Sequence, residues 1–389
     1  MTESFVDTAS SSSPGRIRAL ALGAACFAGS QTMGRYAKVS SILFRTDLFQ
    51  AHLENWELIL QERTVEAIER IASVLGVAGV ILGGSVGRGM AWPISDIDLI
   101  YITTRVADNS LAKRVDELAL SITREWARDT WPTSVDAGRL HFTADEADDL
   151  LKGKRHLDEL MANERTFHAT DKSHLGQSVH ASEDCDTPAF VVLLSDGRFD
   201  PSVVRARQIE RVRRVTSLAQ RVQSHLEAGS LIEAGISIQE LARVIIPYLQ
   251  ERWGHGDRSF GRAFTRFCVL AHEHQEEGIA NRLIRLFSLT ADEVEARYAK
   301  APANVVERHI TSYPSRLAVG EKITELDDKR DVLYAYTWYA VRTGETGSWL
   351  LNEDLHKSQL KLSLDQTASI WAEVVSKEPD CVSSELTFA

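Results

Sequence analysis

The stretch Asp96-Ile97-Asp98-Leu99-Ile100-Tyr101-Ile102-Thr103 constrains this chain more than any other. From Ile97 onward it reads as a buried strand, and residues two apart on a strand point to the same face, so the two carboxylates stand side by side. Like charges held together in a buried strand are costly unless a cation neutralises them. A fold that contains this strand must therefore supply that cation. Hard carboxylate oxygens suit Mg²⁺, with Mn²⁺ as a substitute, because Mg²⁺ binds through one or two carboxylates and fills its remaining positions with water or phosphate oxygens.

Just upstream lies Gly83-Gly84-Ser85-Val86-Gly87-Arg88-Gly89, between the apolar run Val77 to Leu82 and the acid strand. Glycines admit positive φ and close approach of the backbone to a ligand. Gly83, Gly84, Ser85 and Gly87 thus form an expected anion site of N–H groups and a hydroxyl, suited to a triphosphate, and Arg88 adds a charge-assisted contact. Ser95, next to the first acid, belongs to the same expected nucleotide site. The spacing is neither the dinucleotide fingerprint nor a P-loop, which needs Gly-Lys-Ser/Thr. Ser134 to Phe142 reads as a third strand, and Asp136 on it is the expected third carboxylate, able to complete a metal site and to take the proton of an incoming hydroxyl.

The pattern G-S-x-G-R-G-x5-S-D-x-D resembles the signature of the DNA polymerase β-like nucleotidyltransferase superfamily. The match is to the minimal and antibiotic-modifying enzymes, with similarity to the catalytic domain of protein-PII uridylyltransferases in Pro93-Ile94-Ser95-Asp96-Ile97-Asp98-Leu99. The resemblance covers roughly residues 57–200. It implies that Gly84 and Ser85 hold NTP phosphates and that Asp96 and Asp98 hold Mg²⁺, with Asp136 matching more loosely. It also implies a helical bundle after the catalytic domain, where an acceptor binds. The expected reaction moves an NMP from an NTP to a hydroxyl of a small-molecule acceptor, an antibiotic or metabolite, with release of pyrophosphate. A protein acceptor is the second reading and a non-catalytic nucleotide-binding module the third. The chain has no His-Asp dipeptide, so the hydrolase activity of the uridylyltransferases is not expected.

The rest of the sequence bounds this reading. The 389 residues carry a net charge of −11, which argues against a grip on long nucleic acid. Cys26, Cys185, Cys268 and Cys381 lack disulfide or zinc spacing. No run is long enough to span a membrane. The apolar stretch Ala19 to Gly29 follows acidic Glu3 and Asp7, wrong for a secretion signal, and a cytoplasmic location is expected. A homo-oligomer stays open.

The expected fold class is α+β: a nucleotidyltransferase-type small mixed β-sheet with flanking helices, followed by an all-α helical bundle. The divisions are a disordered tail 1–15, a helical segment 16–55, a catalytic domain 56–200 and a helical domain 201–389. Phe190 to Leu194 reads as a fourth strand closed by the turn Ser195-Asp196-Gly197. Helices are expected over 56–75, 111–128 and 203–226, from 145 on, and near 237–252, 259–275, 279–288, 291–299, 326–342 and 365–376. Arg205, Arg207, Arg211, Arg213 and Arg214 crowd one helix, either as phosphate contacts at the domain junction or as a solvated face. His272-Glu273-His274 lacks metal-site spacing on a helix, Trp253 to Asp257 reads as a loop, and Trp338 and Tyr339 as bundle core.

Overall fold

A computed structural model describes residues 46–106, 110–128, 133–256, 260–343 and 356–377. The expected tail, the stretch Ala19 to Gly29 and most of the helical segment 16–55 lie outside them, as do Asp257 and the side chains of Trp338 and Tyr339.

The architecture is α+β, a small mixed sheet with many helices. Helix α1 (Thr46–Ala72) runs unbroken through the expected division at residue 55 and leads into β1 (Val77–Leu82), buried at every position. A one-turn helix α2 (Gly84–Gly87) separates it from β2 (Ile97–Thr103), which returns antiparallel to β1. Helix α3 (Leu111–Arg128) crosses over to β3 (Val135–Asp136) and β4 (His141–Phe142), both parallel to β2. The expected third strand is thus two short pieces. Between their pairings β2 advances three residues and the partner five, from Asp98↔Asp136 to Tyr101↔His141.

Helices α4 (Ala144–Leu151) and α5 (Glu164–Ser173) follow, and then β5 (Gln177–Ala181), antiparallel to β1 at the sheet edge. The sequence did not place this strand: it is only half-buried and carries Gln177, Ser178 and His180, so main-chain pairing rather than apolar alternation fixes it. The apolar run Phe190 to Leu194, expected as a strand, lies instead within helix α6 (Thr187–Gly197), which also absorbs the expected turn at Ser195 to Gly197. A short apolar run does not distinguish strand from buried helix. Here the start decides: Asp186 accepts from the Ala189 N–H, and Pro188 sits in the first turn, where its missing N–H costs nothing.

Beyond residue 200 every described element is helical: α7 (Pro201–Glu227), α8 (Leu231–Arg243), α9 (Ile245–Arg252), α10 (Ala263–Glu273), α11 (Glu277–Leu286), α12 (Ala291–Tyr298), α13 (Ala303–Ala318), α14 (Glu325–Thr343) and α15 (Lys357–Ser376). Helix α13 was not foreseen. It contains Pro314, and its buried face is largely polar (His309, Ser312, Ser315 and Arg316), so it shows no apolar period. No helix among the described residues is long and apolar enough to cross a membrane.

Alternation along β2 sorts its side chains between two cores. Ile97, Leu99 and Tyr101 pack with α1 and α3, while Ile100 and Ile102 pack with α6 on the other face. Asp98 shares that second face, the side from which α5 approaches. A third core, with Phe264, Phe267, Leu333 and Trp371, fills the helical part.

The two parts are joined by buried ions. Arg207 and Arg211 from the arginine-rich helix are neither solvated nor open to phosphate. With Arg198 they surround Asp171 of α5 and Glu251 of α9. Arg207 Nη2 donates to Asp171 at 2.6 Å and its Nε to Glu251 at 2.7 Å. Arg213 does lie on the surface, with Glu210. Removing one member of a buried ion cluster strands its partners, at about 3–5 kcal/mol. Glu251→Gln should therefore lower the denaturation free energy by about that much, and a loss near 0–1 kcal/mol, typical of a surface pair, would refute the assignment.

On the same α5, burial holds His168 well below its ordinary 6.5, at about 3. The folded chain refuses a proton that the unfolded chain accepts, so stability falls as pH drops from 6.5 towards 3. His168→Gln should flatten that slope in urea titrations between pH 7 and 4.

Candidate metal centre

The glycine turn is tied to the acid strand before any side chain acts. The Gly83 N–H donates to the Asp98 carbonyl at 2.9 Å, and the Met90 N–H to the Ser85 carbonyl at 2.8 Å. Both leading glycines are required by close approach. A Cβ on Gly83 would sit 2.3 Å from the Lys172 carbonyl oxygen, and one on Gly84, at φ +60°, 1.7 Å from Asp98 Oδ2. The loop backbone therefore lies directly against the carboxylate.

Register brings the acids together. Asp96 stands just before β2 and Asp98 on it, and Asp98 pairs with Asp136 across the parallel β2–β3 contact. Ligand oxygens of all three lie within 4.8 Å of one another, an arrangement able to hold a metal ion. The Asp136 strand is fixed from behind, since the Ile97 N–H donates to the Ser134 carbonyl at 2.8 Å and Val135 N–H to Thr123 Oγ1 at 3.1 Å.

The other expected residues take different places. The Ser85 hydroxyl donates to Ser95 Oγ at 3.0 Å, and that oxygen also accepts from the Trp92 N–H at 3.0 Å. The two serines thus close the loop on itself. Gly87 is buried in the turn, and half-buried Arg88 caps its C-terminal end. The helical part holds the same loop from outside: the Arg262 guanidinium lies 4.7 Å above the Trp92 ring and is paired with Glu321.

Lys172, from α5, was not foreseen. Its ammonium lies 2.8 Å from Asp98 Oδ1, an ion pair. No local motif marks it; only the packing of α5 over the acid face brings it there. Asp98 is 1% exposed, and burial first, then Asp96 and Asp136, push its carboxyl up to about 7 against the pull of Lys172. For Lys172 burial works against the charge, but Asp98, Asp96 and Asp136 together outweigh it and raise the ammonium above its ordinary range. Half-exposed Arg139 is 3.5 Å from Asp136 Oδ2. Formally three carboxylates face two cations, one of them screened by solvent. Three carboxylates gathered at one point are of the type that binds a divalent ion.

His272 pairs with Glu277, and His274 stacks on Trp253, so neither histidine of the His-Glu-His stretch is placed as a ligand. Gly84→Ala and Gly89→Ala provide a direct comparison, because Gly89 has φ +65° but open space around its would-be Cβ. Gly89→Ala should cost about 1–2 kcal/mol of backbone strain alone, and Gly84→Ala distinctly more in chemical denaturation; equal losses would contradict the contact with Asp98. No protein-family model and no curated protein matches the chain.

Proposed function

We propose that the chain is a Mg²⁺-dependent nucleotidyltransferase that moves an NMP from an NTP to a hydroxyl of a small-molecule acceptor. One observation carries the reading: three carboxylates gathered within 4.8 Å, with a glycine turn packed against the most buried of them. Asp96, Asp98 and Asp136 would hold the metal, which when bound supplies charge neutralisation for phosphate oxygens. The acceptor oxygen forms a bond to the α-phosphorus as the bond to the pyrophosphate oxygen breaks, and the hydroxyl proton passes to Asp136 or to solvent. The Gly83–Gly87 backbone cradles the triphosphate, and the Ser85–Ser95 bridge holds that backbone in shape. Positioning and charge, rather than covalent catalysis, supply the rate.

The acidic total and the absence of a basic nucleic-acid signature support a small acceptor over a long polymer. The test is incubation of the purified chain with labelled NTPs, Mg²⁺ and a fractionated metabolite pool. Label should appear in a small product, vanish with a chelator, and fall at least about 100-fold in Asp98→Asn, the scale of a lost transition-state electrostatic contact. Label found only on macromolecules would end the small-acceptor reading, and transfer by folded Asp98→Asn at the wild-type rate would end the catalytic one.

A further inference from the structure

Lys172 carries an inference that rests on this reading and deepens it. We propose that its ammonium is the resident counter-cation of the acid cluster and competes with the divalent ion, so that metal binds tightly only together with the nucleotide.

Its main chain is fixed. The Lys172 carbonyl packs against Gly83 so closely that a methyl group would not fit between them. The preceding residue, Asp171, is held by Arg198 and Arg207. The backbone thus delivers the ammonium to one place, 2.8 Å from Asp98 Oδ1, where it feels Asp96 and Asp136 as well. Its end has an opening to solvent by contrast: the side chain is 35% exposed. A lysine is a compact point charge on a flexible stem, suited to changing partners.

Two positive charges cannot neutralise one Asp98 oxygen at once without repelling each other. A divalent ion entering alone takes up the three carboxylates and must displace the ammonium towards solvent. A triphosphate arriving with the metal offers the ammonium an anion, and Lys172 transfers from carboxylate to phosphate oxygen. By linkage, whatever makes nucleotide favour metal makes metal favour nucleotide by the same factor.

The test uses the full chain and Mn²⁺ as the probe, followed by calorimetry and by the electron paramagnetic resonance signal of free Mn²⁺. Wild type should bind Mn²⁺ at least about 10-fold more weakly without nucleotide than with a non-hydrolysable NTP analogue. In Lys172→Met and Lys172→Gln the nucleotide-free affinity should rise about 10-fold or more, and the gain from nucleotide should shrink. Lys172→Arg, which keeps the charge, should stay near wild type. Unchanged or weaker Mn²⁺ binding in a folded charge-removing variant overturns the proposal, as does a wild type that binds Mn²⁺ equally with and without nucleotide. The wild-type comparison needs no variant to fold. The outcomes separate from those of the transferase reading: label transfer with no effect of Lys172 on Mn²⁺ defeats only the counter-cation, whereas Mn²⁺ coupling without any label transfer defeats only the catalytic reading.

Discussion

Electrostatic crowding at one point of the sheet is the constraint to which the rest of the structure answers. Register sets Asp98 beside Asp136, the half-buried Asp96 just ahead of β2 joins them, and burial denies Asp98 and Asp136 the water that would screen them. Such a cluster survives folding only if positive charge is brought to it. The fold does so with a helix: α5 lies across the face of β2 that carries the acids and delivers Lys172. The glycine turn then approaches from the strand side, where any side chain would collide with Asp98.

That arrangement explains the organisation around it. Helix α5 has to be held firmly, and its Asp171 is tied through Arg198, Arg207 and Glu251 to the helical part. The loop between turn and acid strand is likewise held at both ends, inside by the Ser85–Ser95 bridge and outside by Arg262 over Trp92. The helical part therefore acts on the acid cluster through two mechanical contacts, each remote from the carboxylates themselves.

How much of this was legible in the sequence follows from what each piece depends on. Strands β1 and β2 could be read because apolar side chains dictate them, and the acid pair because it interrupts that apolarity. Asp136 could be nominated, though its partnership with Asp98 is a matter of register between strands far apart in the chain. Lys172 had no signal, since its role comes from the packing of a helix and not from its neighbours in sequence. The exchange of roles between Gln177–Ala181 and Phe190–Leu194 has the same origin: an edge strand needs only backbone partners, and an apolar run takes whichever form its cap permits. The arginine-rich helix divides: Arg205, Arg213 and Arg214 stand on the solvated face, while Arg207 and Arg211 are buried, because burial of a guanidinium depends on carboxylates supplied by α5 and α9.

The buried ion cluster has a consequence for how such a protein can change over generations. Its cations come from the end of α6 and from α7, its anions from α5 and α9, so a cut between the sheet-bearing part and the bundle keeps Asp171 with Arg198 and Glu251 with Arg207 and Arg211 but severs the Arg198–Glu251 and Arg207–Asp171 pairs. The halves are therefore not interchangeable modules. A new bundle grafted onto this sheet would have to answer Arg198 and Asp171 with a carboxylate in the place of Glu251 and a guanidinium in the place of Arg207, which ties the history of one half to that of the other.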